Sequence, residues 1–101
     1  MTKVFLRCRD YDASDETIEV TCELNDRGYI DFDEGPHGVA TEQGENYEFE
    51  LHDKGVIDFG REYEGDRFWQ TDLHELKMQM GVRIKVVSGG PTWTYEIISI
   101  Q

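Results

Sequence analysis

The sequence predicts an α+β fold: a mostly antiparallel β-sheet of about seven strands in three hairpins, with one short helix near residues 72–80. Three observations predict it. A hairpin-like decapeptide is written twice, apolar and polar residues alternate with period two over most of the remaining chain, and a single stretch has helical spacing.

The repeat is Glu23-Leu-Asn-Asp-Arg-Gly-Tyr-Ile-Asp-Phe32, which recurs 27 positions later as Glu50-Leu-His-Asp-Lys-Gly-Val-Ile-Asp-Phe59. Before the first copy Ile18, Val20, Cys22 and Leu24 alternate with polar residues; before the second, Tyr47, Phe49 and Leu51 do the same. Such alternation marks a strand with one buried face. Asp-Arg-Gly and Asp-Lys-Gly then supply a turn, because Asp tolerates the bend and Gly supplies the positive φ that closes a three-residue loop. That loop sets the register. Leu24 faces Ile30, Cys22 faces Phe32, Leu51 faces Ile57 and Phe49 faces Phe59. The same register opposes Glu23 to Asp31 and Glu50 to Asp58, an unfavourable like-charge arrangement carried in both copies. A calcium-loop reading of the repeat fails, since Arg27 and Lys54 fall where a ligand oxygen is required.

The other elements follow in order. Lys3 to Arg9 forms a first strand with Val4, Leu6 and Cys8 on one side, and the acidic run 10–16 forms a turn. Residues 34–45, with Gly35, Pro36, Gly38 and Gly44, read as a connecting loop holding His37. Tyr63, Phe68 and Trp69 are expected to cover an open end of the sheet. Asp72 with Glu75 three residues later is a capping-box pattern, Leu73, Leu76 and Met80 share a helical face, and Gly81 is a stop. Val82 to Val87 and Thr92 to Ile100 form the third hairpin. In its last strand Trp93, Tyr95 and Ile97 point one way and Ile98 and Ile100 the other, so a central or helix-covered position is expected.

Length predicts a single domain over 1–101 with one modest core. The apolar runs are too short for a membrane helix, and Met1 to Leu6 is too short and too soon charged for a signal peptide. A cytoplasmic location is therefore expected, with Cys8 and Cys22 as reduced core residues. Net charge is −12 and uneven: residues 10–53 hold fifteen acids and one base, residues 1–9 three bases and no acid, and residues 54–101 seven acids and six bases. Such a charge repels nucleic acid and anionic lipid and favours a basic partner.

Glu19, Glu23, Asp31, Asp33, Glu48, Glu50 and Asp58 fall on outward positions and are the candidate partner-binding residues. Side chains two apart on a strand are spaced ~6.6–6.8 Å. That is close to the axial rise of two phosphates on one DNA strand, at ~3.4 Å each. The function these observations predict is a non-enzymatic acidic inhibitor, a nucleic-acid mimic facing a basic, nucleic-acid-handling protein. This small, acidic, motif-free profile is shared by phage anti-defence inhibitors such as anti-CRISPR proteins and by toxin-immunity proteins, an analogy of profile and not of residues. Two alternatives stay open: an immunity protein neutralising a basic toxin, and a structural or self-associating module of a phage or bacterial assembly that pairs edge strands between copies. The sequence carries no glycine-rich phosphate loop, nucleophile elbow or zinc spacing, so no catalytic residue, metal or cofactor is expected.

Overall fold

The computed structural model describes residues 2–12 and 15–101; Met1, Ala13 and Ser14, the last two within the expected 10–16 turn, lie outside the described residues. The described residues form nine strands: β1 (Thr2–Asp10), β2 (Thr17–Leu24), β3 (Ile30–Asp31), β4 (His37–Glu42), β5 (Glu45–His52), β6 (Val56–Asp58), β7 (Phe68–Thr71), β8 (Arg83–Val87) and β9 (Thr92–Ile100). All pair antiparallel in the order β1-β9-β8-β7-β6-β5-β4-β2, and β1 pairs with β2 as well as β9. The sheet is therefore a closed eight-stranded barrel, with β3 a two-residue stub beside the end of β2.

This overturns the expected α+β class with an open sheet and a helix. Among the described residues there is no α-helix. Residues 73–75 make one 3-10 turn, and Leu76 is already extended at φ −110°, ψ 143°. The polar groups that would start a helix are committed elsewhere. Asp72 Oδ1 accepts from the Lys85 amide of β8 at 2.9 Å instead of capping its own turn, and the Met78 amide donates to Gly28 O at 2.8 Å. Leu73 and Met78 are buried, while Met80, expected on the apolar face, is 61% exposed.

Closure depends on β1, whose two backbone edges are both paired. It meets β2 from Thr2↔Leu24 to Arg9↔Thr17 and β9 from Leu6↔Ile100 to Asp10↔Tyr95. A register shift in the β1–β9 ladder brings Ile100 opposite Leu6 and Ile97 opposite Cys8. The apparent two-faced pattern of the last strand is thus a bulge, which puts an odd-numbered and an even-numbered isoleucine on the same side.

Two strands were not expected. β4 lies in the glycine-rich connection, and β7 carries Trp69 inward while Phe68 stays 51% exposed. Phe32 does not continue a strand opposite Cys22. It begins a 3-10 turn, Phe32–Glu34, started by Asp31 Oδ1 accepting from the Asp33 amide at 3.0 Å. The two hairpin registers hold as the turns predict, with Leu24↔Ile30 and Glu23↔Asp31 in one and Leu51↔Ile57 and Glu50↔Asp58 in the other.

The barrel interior is filled by side chains, as eight strands allow. Leu6, Ile18, Val20, Ile57, Ile84 and Ile97 are fully buried. Each such aliphatic side chain contributes about 1.5–3 kcal/mol. Cys8 and Cys22 are both buried and free. Their opposite residues are Ile18 and Val4, so they sit at different levels of the β1–β2 ladder. Burial pushes the Cys8 thiol up to about 12 and the Cys22 thiol up to about 11.

Candidate functional site

The alternation that fills the barrel also sorts what faces water. On β5, Phe49 and Leu51 turn inward while Glu48 and Glu50 are exposed. Cross-strand pairing then assembles rows around the outside. One runs Phe5, Thr21, His37, Glu50, Asp58, Phe68 across β1, β2, β4, β5, β6 and β7. A second runs Arg7, Glu19, Val39, Glu48, and a third Lys3, Glu23, Asp31.

Three grooves follow this surface. The first, about 750 Å³, is lined by Glu19, Glu48, Glu50 and Asp58 with His37, Arg61 and Arg67. The second, about 490 Å³, adds Asp33, His52 and Asp53 and shares His37 and Glu50 with the first. The third, about 970 Å³, lies where the 60–67 loop folds beside the start of β5. It is lined by Glu45, Glu48, Glu62 and Glu64 around Tyr47 and Tyr63, and shares Val39, Glu48 and Phe59 with the first. The grooves adjoin through shared walls, Glu50 between the first and second and Glu48 between the first and third, and form an acidic valley that Arg61 and Arg67 also line.

Aromatic stacking holds the loop that forms one wall. Tyr63 stacks on Phe59 with centroids 4.6 Å apart and meets Tyr47 edge to face at 5.2 Å. Phe59 in turn packs edge-on to the buried Trp69 at 4.6 Å. Tyr47 Oη donates to Glu45, and this bond, with burial and the Glu45 charge, pushes the phenol up to about 12. Burial, then Glu42 and Asp66, raise Tyr63 as well. Both rings stay protonated, and the valley keeps its charge on carboxylates.

The seven residues expected to form one acidic face divide into three groups. Glu19, Glu48, Glu50 and Asp58 meet in the first groove, and Asp33 lies in the second. Glu23 and Asp31 oppose one another to one side, half-buried, with Lys3 across the ladder from Glu23. Asp58 is not a free carboxylate. It accepts from Arg67 Nε at 2.9 Å, Arg67 Nη2 at 3.3 Å and the Gly60 amide at 2.8 Å, and lies 3.5 Å from His52 Nε2. The Arg67 hydrogen bond, then the Gly60 amide, lower its carboxyl to about 2. By contrast Glu19, Glu48 and Glu50 carry no ion pair among the described residues.

Sequence reasoning missed Glu45, Asp53, Glu62 and Glu64. The signal for two of them was Glu62-Tyr63-Glu64, an acid on each side of a ring, but a loop has no periodicity to say which way its residues face. No group of three or more metal-ligating side chains converges among the described residues, and none of their helices is long and apolar enough to cross a membrane.

The fold and surface define a closed antiparallel barrel with an acidic outer valley. Comparison of the chain with protein-family models, with curated proteins and with solved structures finds no match.

Proposed function

We propose that the protein is an acidic inhibitor that seats its outer valley on a basic, nucleic-acid-handling partner protein and occupies the surface that phosphates would otherwise take. The observation that carries this reading is that Glu48 and Glu50, at the two junctions of the valley, have no ion pair among the described residues. They lie two apart on one strand, hence ~6.6–6.8 Å apart along it. Charges held outward on a rigid ladder need little reorganisation to meet a cationic surface, and they steer encounter at long range. Asp58 has a different part in this reading. With Arg67 it pins the 60–67 loop that carries Glu62 and Glu64.

The test is binding of a fluorescent oligo-arginine peptide by wild type and by E48K/E50K at low and physiological salt. Wild type is expected to bind with an affinity that falls steeply with salt, and the double variant to lose at least about tenfold, since each 1.4 kcal/mol is tenfold. Binding indifferent to salt, or equal binding by a folded E48K/E50K, overturns the proposal.

A further inference from the structure

The barrel separates charge around its circumference in a way the linear sequence hides. In the ring of eight strands β9 lies four strands from β5 in either direction, so the two are on opposite sides. The β5 side carries the acidic valley. The β9 side carries bases from its two neighbours: Arg7 and Arg9 on β1, Arg83 and Lys85 on β8, all exposed. Two acids lie among these bases: Glu96, between Arg9 and Arg83 across the two ladders and 3.8 Å from Arg83 Nε, and Asp72, whose Oδ1 accepts from the Lys85 amide at 2.9 Å. Arg83 is also held over the exposed ring of Tyr11, 4.4 Å from its centroid. Stacking of this kind fixes a guanidinium plane in advance and lowers the ordering cost of any contact it makes.

We infer that the basic β1–β9–β8 face of one copy docks in the acidic valley of a second copy, head to tail. The inference rests on the cation-binding role of the valley proposed above. The two surfaces differ, so the contact is heterologous and leaves one valley and one basic face open at the ends of any open assembly. A basic partner competes for the same valley, so it disperses the self-assembly as it binds. Edge-to-edge strand pairing has no part in it, because β1 and β9 are paired on both sides.

Salt gives the contact a distinctive signature. Each copy carries −12, and the narrowest dimension of the molecule is 21 Å. At ~0.01 M ionic strength the screening length is ~30 Å, longer than that dimension, and whole-molecule repulsion opposes approach. At ~0.15 M it is ~8 Å, so the net charges are hidden while contacting side chains still attract. At ~1 M it is ~3 Å, and those contacts fade too. Association should therefore peak at intermediate salt.

Sedimentation equilibrium tests this with wild type, R9E/R83E/K85E and E48K/E50K/E62K, and circular dichroism confirms that each variant is folded. Wild type is expected to exceed its 11.8 kDa monomer mass at protein concentrations of about 0.1–1 mM near physiological salt. Each variant alone should remain monomeric, and an equimolar mixture of the two should form a one-to-one complex, since each retains the half the other lacks. R9E/R83E/K85E should still bind oligo-arginine. A wild type monomeric up to ~1 mM at all three salt concentrations, or a mixture that forms no complex, overturns the inference. If that happens while oligo-arginine binding persists, the partner reading stands alone; if wild type fails to bind oligo-arginine, the valley reading falls with it.

Discussion

Asp58 engages both of its carboxylate oxygens within its own chain. The repeat placed it opposite Glu50, where it is. What the repeat did not show is Arg67, nine residues on and in another strand's approach, which takes both of its oxygens. The Arg67 hydrogen bond and then the Gly60 amide hold the carboxyl down at about 2, below its ordinary value of 3.8. A lowered carboxylate contributes stability above its unfolded pKa and loses it as pH falls through the folded one. Wild type should therefore lose stability between about pH 4 and about pH 2, and D58N should lose less over that interval, in urea denaturation at each pH. Equal slopes for the two proteins would remove Asp58 as the cause. Gly38 is the second residue with a single physical reason. A Cβ there would lie 2.0 Å from Glu19 O and 2.7 Å from the Phe49 ring, in the floor of the first groove. The carbonyl belongs to a paired strand and cannot retreat, so G38A should cost about 1–3 kcal/mol of unfolding free energy, towards the upper end. A loss under a few tenths would mean that the β2–β4 ladder can shift.

At the scale of elements, local turn chemistry was legible and tertiary capture was not. The Asp-x-Gly turns fixed both hairpin registers because a three-residue loop leaves little freedom. Outward positions of Glu19, Glu48 and Glu50 followed from period two alone. The 72–80 stretch had a capping pattern, a helical face and a stop, yet short helices need packing to persist, and here packing favours extended chain. Gly38 hid β4 for a related reason, since a glycine two residues after a proline reads as loop unless a neighbouring strand demands close approach. The segment after β7 offers a test. Asp72 holds the Lys85 amide, so D72A should cost about 1–2 kcal/mol and speed hydrogen exchange at Lys85. A helix cap lost at the same position would instead expose amides within 73–76 and leave Lys85 protected.

The whole molecule adds what no element contains: closure, and the charge it brings together. Glu16 and Glu42 come from the approach to β2 and the end of β4. Burial raises both, Glu16 further by Asp10 and Asp15, and Glu42 further by Glu16. Tyr95, buried opposite Asp10, is raised by its own burial first and then by Asp10, Glu16 and Glu42. A carboxyl whose folded pKa is raised disfavours folding when ionised, so stability should increase as pH falls from neutral into the range just above 4.5. Asp58 acts in the opposite sense below 3.8. The two together predict a maximum of stability near pH 4 to 5 at roughly constant ionic strength. Protonation also relieves the −12 self-repulsion in that direction, so the general effect must be separated from the specific one. E42Q separates them. It removes the half-buried charge, so it should be more stable than wild type at neutral pH and gain less on acidification, while added salt should stabilise both. Urea midpoints from pH 7 down to pH 3 read all of this. A wild type whose stability is flat or falling between neutral pH and about 5, or an E42Q variant with the wild-type slope, would show that the acids at this end of the barrel are hydrated rather than held by the fold.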